Sequence, residues 1–218
     1  MIRQVRQYGI FLTGLFVVSL GVAFSAKAGL GTSPVASVPY SVSLANRSLT
    51  FGQWLILLSL LQITLQVILL RKRCKPFEIA VQLAVAFVYG NLTDFSCGLL
   101  SGVNPVSYPA RFALMLLGCA IVGLGIWIQY KGGVAMMPGE ALNRAVSQVT
   151  GKRFEDVKIV MDVLYILVAA VICLVFAGRL EGVREGSIVA ALLIGNMIRL
   201  YNRIFDRLVQ APAEKRTA

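Results

Sequence analysis

Two stretches of the chain, 104 positions apart, carry the same backbone instructions. Residues 12–43 align without a gap onto residues 116–147. Ten of these 32 positions are identical: Leu12/Leu116, Gly14/Gly118, Val18/Val122, Leu20/Leu124, Gly21/Gly125, Lys27/Lys131, Gly29/Gly133, Pro34/Pro138, Val42/Val146 and Ser43/Ser147. Unrelated apolar helices share roughly one residue in ten on composition alone. The matched glycines and prolines constrain the fold most, because they dictate backbone shape rather than mere apolarity. A chain built from two halves with matching helix breaks places its working site where the halves meet.

The medium is set by composition. Of 218 residues 57% are hydrophobic, with a mean hydropathy of +0.77, whereas a soluble domain of this size is roughly 45–50% apolar. No polar tract is long enough for a separate soluble domain, so residues 1–218 read as one integral membrane domain whose first partner is the lipid bilayer. The net charge of +11 does not point to nucleic acid, because the basic residues cluster between apolar runs, as topogenic charges do.

Six runs approach the roughly 20 residues needed to cross a bilayer: 8–26, 54–70, 77–99, 111–130, 157–177 and 187–204. With the N-terminus inside, 16 of the 21 Lys and Arg fall on the cytoplasmic side and five outside, the Arg71-Lys72-Arg73 cluster being the strongest vote. That bias predicts both termini in the cytoplasm. Each half (repeat 1 about 8–100, repeat 2 about 111–206) holds three spans. An odd number turns the second half upside down, and 207–218 is left as a short cytoplasmic tail. The expected fold is an all-α polytopic membrane protein of six transmembrane helices in two inverted three-helix repeats.

After the first span of each half comes glycine, a turn, then proline: Gly29, Gly31, Thr32, Ser33 and Pro34 in one, Gly133 through Met137, Pro138, Gly139 and Glu140 in the other. Proline suits the first turn of a helix, and Thr32 or Ser33 is placed to cap the helix that Pro34 begins. Each half thus gains a helix of about ten residues, too short to span. Two arrangements fit: a re-entrant helix whose N-terminus points at the midplane, or an interfacial helix lying on the surface. Asn143 and Arg144 argue for shallow burial of the second copy. Thr32-Ser33 stands opposite Met136-Met137, so a site made by both turns leans on the first half.

Polar residues inside the apolar runs repeat as well. Gly90-Asn91 matches Gly195-Asn196; the glycine permits close helix approach, and the asparagine serves either as glue between helices or as lining of a site. Asp94 follows Asn91 at nearly the spacing of Arg199 after Asn196, and an ionisable group at such depth marks function. Lys158 and Asp162 sit four apart on one helix face, as an ion pair or as a proton or cation relay. Gln62, Gln66 and Gln129 are weaker signs of a polar interior.

The chain has no histidine, and Cys74, Cys97, Cys119 and Cys173 lack paired spacing. The reading therefore contains no metal site and no cofactor. No nucleophile has a base in reach, which weighs against an enzyme acting on lipid.

The Ala28-Gly29-Leu30-Gly31-Thr32-Ser33-Pro34 segment, Leu49 through Trp54, Thr150-Gly151-Lys152-Arg153-Phe154 and the Gly-Asn motifs together resemble the YczE/YyaS/YitT family of bacterial membrane proteins, the YczE branch most closely. The resemblance runs from about residue 8 to 206. It implies a multi-pass protein of the bacterial inner membrane and no settled activity. It also implies an acidic residue after the second glycine turn, matched by Glu140, and the basic–acidic pair matched by Lys158 and Asp162. Val134-Ala135-Met136-Met137 is more apolar than the family pattern.

The expected function is a secondary transporter or channel for a small solute. Two helix N-termini would favour an anionic or carboxylate-bearing one. Its binding set would be Gly29, Gly31, Thr32, Ser33, Pro34, Asn91, Pro138, Gly139, Glu140 and Asn196, with Asp94, Lys158 and Asp162 as coupling or ion-pair residues. The alternative is an accessory or scaffold protein assisting another membrane complex or a biosynthetic pathway.

Overall fold

The computed structural model describes residues 2–71, 74–177 and 182–214, with side chains between 5 and 204. These residues form eight helices and no strand: α1 (Ile2–Ala28), α2 (Pro34–Ala45), α3 (Phe51–Leu70), α4 (Pro76–Leu99), α5 (Tyr108–Gly132), α6 (Pro138–Thr150), α7 (Phe154–Ile172) and α8 (Glu185–Glu214). A π-helical turn, Cys173–Ala177, prolongs α7. Lys72, Arg73, Arg179 and the tail from Lys215 lie outside the described residues, as do the side chains of Arg3 and Arg207.

Local chemistry sets the helix ends. Proline opens α2, α4 and α6 and sits in the first turn of α5, where a missing N–H costs nothing. A reciprocal capping box between Thr50 and Gln53 opens α3. Gly133 and Gly151, both left-handed, close α5 and α6. At α2 the sequence expectation is not met. Ser33 is the N-cap residue, yet no side-chain cap bond forms. Within the first turn, Ser37 Oγ donates to the Pro34 carbonyl at 2.6 Å.

Among the described residues five helices are long and apolar enough to cross a membrane: α1, α3, α4, α5 and α7 with its π turn. The sixth expected span lies within α8, which is not among them and carries Arg199 and Arg203. Leu57, Leu61 and Ile68 on α3 and Ile159, Val163, Leu167 and Val171 on α7 are exposed. Ridges of this kind belong against lipid tails rather than water.

The seam of the molecule is the α1–α5 pair. A Cβ added to Gly14 would lie 2.8 Å from the Gly125 carbonyl oxygen, and one on Gly125 2.9 Å from that of Gly14. Gly21 and Gly118 face each other in the same way. A Cβ on Gly21 would also lie 2.6 Å from the Val122 amide nitrogen, as would one on Gly125 from that of Val18. The two helices therefore run antiparallel, backbone to backbone, the close approach that small residues permit. Around the seam, Phe11, Leu15, Val18 and Val22 pack with Ala36, Leu55, Val85, Tyr89 and Val122.

The remaining helices pair off. α1 packs on α4 and α5 on α8; α2 packs on α3 and α7, and α6 on α7 and α3. Exchanging α1–α4 for α5–α8 maps these pairs onto one another. The exchange fails for α3 and α4, which pack closely whereas α7 and α8 have no comparable contact among the described residues, and for the smaller α2–α8 contact, which α6 and α4 do not match.

Candidate functional site: a polar cavity at the base of α6

A cavity of about 490 Å³ opens at the end of the bundle where α3 meets α4 and α5 meets α6. Three buried glutamines from three helices line it, Gln66 of α3, Gln82 of α4 and Gln129 of α5, together with the exposed Gln148 of α6. Each of the three is 5% exposed, and Gln66 Oε1, Gln82 Oε1 and Gln129 Nε2 have no protein partner. A buried amide left unpaired costs about 1–3 kcal/mol. These three atoms are shut off even from a water molecule, so the amides make the cavity wall polar without yet offering those atoms to its contents.

α6 supplies the charges. Glu140, in its first turn, accepts a hydrogen bond from Tyr130 Oη at 2.9 Å. Burial holds the Glu140 carboxyl above the usual carboxylate range, while the Tyr130 bond and the nearby Lys158 charge pull the other way. Arg144, one turn on, directs Nη1 to Met136 Sδ at 3.5 Å. Both charges line the cavity.

The N-terminus of α6 lies deep. A Cβ on Gly139 would sit 3.4 Å from Gln62 Nε2. Gln62 is eight residues short of the end of α3, about 12 Å at 1.5 Å per residue. Its Nε2 donates to Tyr165 Oη of α7 at 2.9 Å. Gln62 and Tyr165 are each the twelfth residue of their helices, and the bond ties α3 to α7. Asn143 is 1% exposed, deeper than its polarity leads one to expect. Lys158 and Asp162 make an ion pair at 3.5 Å within α7.

The other residues singled out from the sequence stand elsewhere. Gly29 and Gly31 take left-handed backbone, with φ of 64° and 102°. The turn they make is packed with protein: Gly31 lies against Ser187, and the Gly186 amide donates to the Leu30 carbonyl at 2.9 Å. Thr32 is fully buried, its hydroxyl without a partner, and Pro34 is buried beside it. This turn lies near Arg111 at the start of α5, the end opposite the cavity. The cavity thus leans on the second half, because α8 fills the first half's turn.

Asp94 is an anchor. Its carboxylate accepts from Thr50 Oγ1 and, at 2.7 Å, from the Gly52 amide, fixing the start of α3 to α4. Gly90 and Gly52 face each other there. Asn91 and Asn196 donate to the carbonyls of Phe87 and Leu192 in their own helices. Both are exposed and away from the cavity. Sequence reasoning passed over Gln82, whose only signal was an amide in an apolar run.

A family model described as a family of unknown function, DUF6198, matches residues 5–203. The chain belongs to this family. It is 25% identical over 201 residues to the uncharacterised protein YyaS of Bacillus subtilis (strain 168), covering 92% of each chain. It is also 25% identical over 215 residues to the uncharacterised membrane protein YczE of the same strain, covering 98% of this chain and 94% of that one. No solved structure matches. Family membership and the five apolar helices together make this DUF6198 chain a multi-pass membrane protein.

Proposed function

We propose that the protein is a secondary transporter for a small polar solute, working by alternating access between two inverted repeats in the bacterial inner membrane. One observation carries the reading: Glu140 and Arg144 of the half-length helix α6 share a cavity with Gln66, Gln82 and Gln129 of α3, α4 and α5, while the N-terminus of the same helix reaches Gln62, about two turns below the end of α3. Non-helical backbone such as the 133–137 turn is stable at membrane depth only beside a cavity or inside protein. The reciprocal glycine contacts of α1 and α5 and the paired helix packing support an inverted repeat with its axis near Val18 and Val122. In the orientation given by the positive charges the cavity faces the cytoplasm, so this conformation is inward-open. The site differs from the one expected for an anion, because Glu140 already occupies the positive end of α6.

Uptake by proteoliposomes, with and without a pH gradient, tests the proposal against a panel of labelled amino acids, amines, sugars and carboxylates. Saturable uptake lost in Glu140→Gln is the expected result. No uptake of any solute counts against transport.

α8 favours a second reading, an accessory role. A Cβ on Gly195 would meet nothing within 4 Å, and Asn196 beside it is exposed. A polar side chain at such a position finds its best partner in another protein. The accessory reading predicts a co-purifying membrane partner, and full complementation by Glu140→Gln.

A further inference from the structure

We infer that the cavity binds a small zwitterion, one ammonium and one carboxylate on a compact skeleton, held between Glu140 and Arg144. The inference rests on the cavity being the solute site. The two side chains are one turn apart on α6 and opposite in sign, the spacing at which ion pairs close on a helix. In α7 a pair with this spacing does close, Lys158 to Asp162 at 3.5 Å. Glu140 and Arg144 stay open. The carboxylate is held by Tyr130 Oη and the guanidinium by Met136 Sδ, so each keeps capacity toward the cavity.

The rest of the inner lining is polar but neutral, with Gln66, Gln82 and Gln129 beside the two α6 charges. The remaining lining charges, Lys75 and Glu78 at the mouth, neutralise each other at 3.2 Å. A solute carrying one charge engages one of the two α6 side chains, the half-buried Glu140 or the exposed Arg144; a zwitterion engages both. Leu70, Phe77 and Val81 along the same wall leave room for an aliphatic side chain.

The test is equilibrium binding to the purified full-length protein in detergent, read by ligand-dependent thermal unfolding. The probes are L-leucine, isopentylamine (the same skeleton without the carboxylate), 4-methylpentanoate (without the ammonium), and the other protein amino acids. The expected result is that the tightest amino acid binds at least about tenfold more strongly than either half-molecule, the value of one charge-assisted contact. Arg144→Gln should abolish discrimination against isopentylamine, and Glu140→Gln discrimination against 4-methylpentanoate. Equal binding of one half-molecule to the unaltered protein overturns the inference, as does binding of no amino acid at all. These comparisons use the unaltered chain, so misfolding of a variant does not obscure them. Binding without uptake would sink the transporter reading and leave the zwitterion site standing; uptake of a sugar without amino-acid binding would do the reverse.

Discussion

Gly21 and Gly118 face each other across the α1–α5 seam so closely that a Cβ on either would lie 2.8 Å from the other's carbonyl oxygen. A side chain at either position forces the two backbones apart. Gly21→Val or Gly118→Val is expected to cost about 1–3 kcal/mol of stability, read as a lowered unfolding midpoint in detergent. Gly9→Val is the control, since an added Cβ there meets nothing within 4 Å. Equal effects at Gly9 and Gly21 would show that the seam is not tight.

Asp94→Ala removes both bonds that fasten the start of α3. A loss of about 1.5–3 kcal/mol is expected, the range for hydrogen bonds to a charged group. Uptake should fall only as far as folded protein is lost. Full stability with abolished uptake would instead make Asp94 a coupling residue.

Leucine in place of Gln66, Gln82 or Gln129 is expected to leave stability within about 0.5 kcal/mol or raise it slightly, because an unpaired buried amide is exchanged for an apolar group. Solute binding should nonetheless drop. If stability fell by several kcal/mol, these amides would be structural, with partners inside the protein.

Stability should also depend on Glu140 through pH. Its carboxyl is raised above the ordinary 4.5 by burial, so the native state retains a proton that the unfolded chain releases. The stability tied to that proton is complete below the ordinary value and lost as pH rises through the native one. Glu140→Gln removes the penalty of the buried charge. Its unfolding midpoint should exceed the unaltered protein's more at about pH 8 than at about pH 5, and a constant difference would contradict the burial account.

The punctuation of this fold was readable in the chain. Pro34 and Pro138 start α2 and α6, and Gly90 does mark a close helix approach. Those signals are local, because a proline or glycine limits its own backbone wherever it sits. What stayed hidden is non-local. Nothing near Gly90 names Gly52 as its partner, nothing in residues 29–34 reveals that Arg184 to Ser187 fill the turn, and Asp94 reads as a site residue until Thr50 and Gly52 are brought to it. Gln66 and Gln129 were legible one at a time as polar interior, but Gln82 was not, nor were the three as walls of one cavity.

The clasp of Gly52, Gly90 and Asp94 has no equivalent on the other side, where Gly195 stands open. The molecule is therefore stiff in one limb and slack in the other. On a hydrogen-exchange clock, α7 and α8 should open before α3 and α4, as weakly packed units do. If the protein rocks as proposed, the clasped limb is the stator, and the limb bearing Lys158, Asp162 and Tyr165 swings once the Gln62–Tyr165 bond lets go.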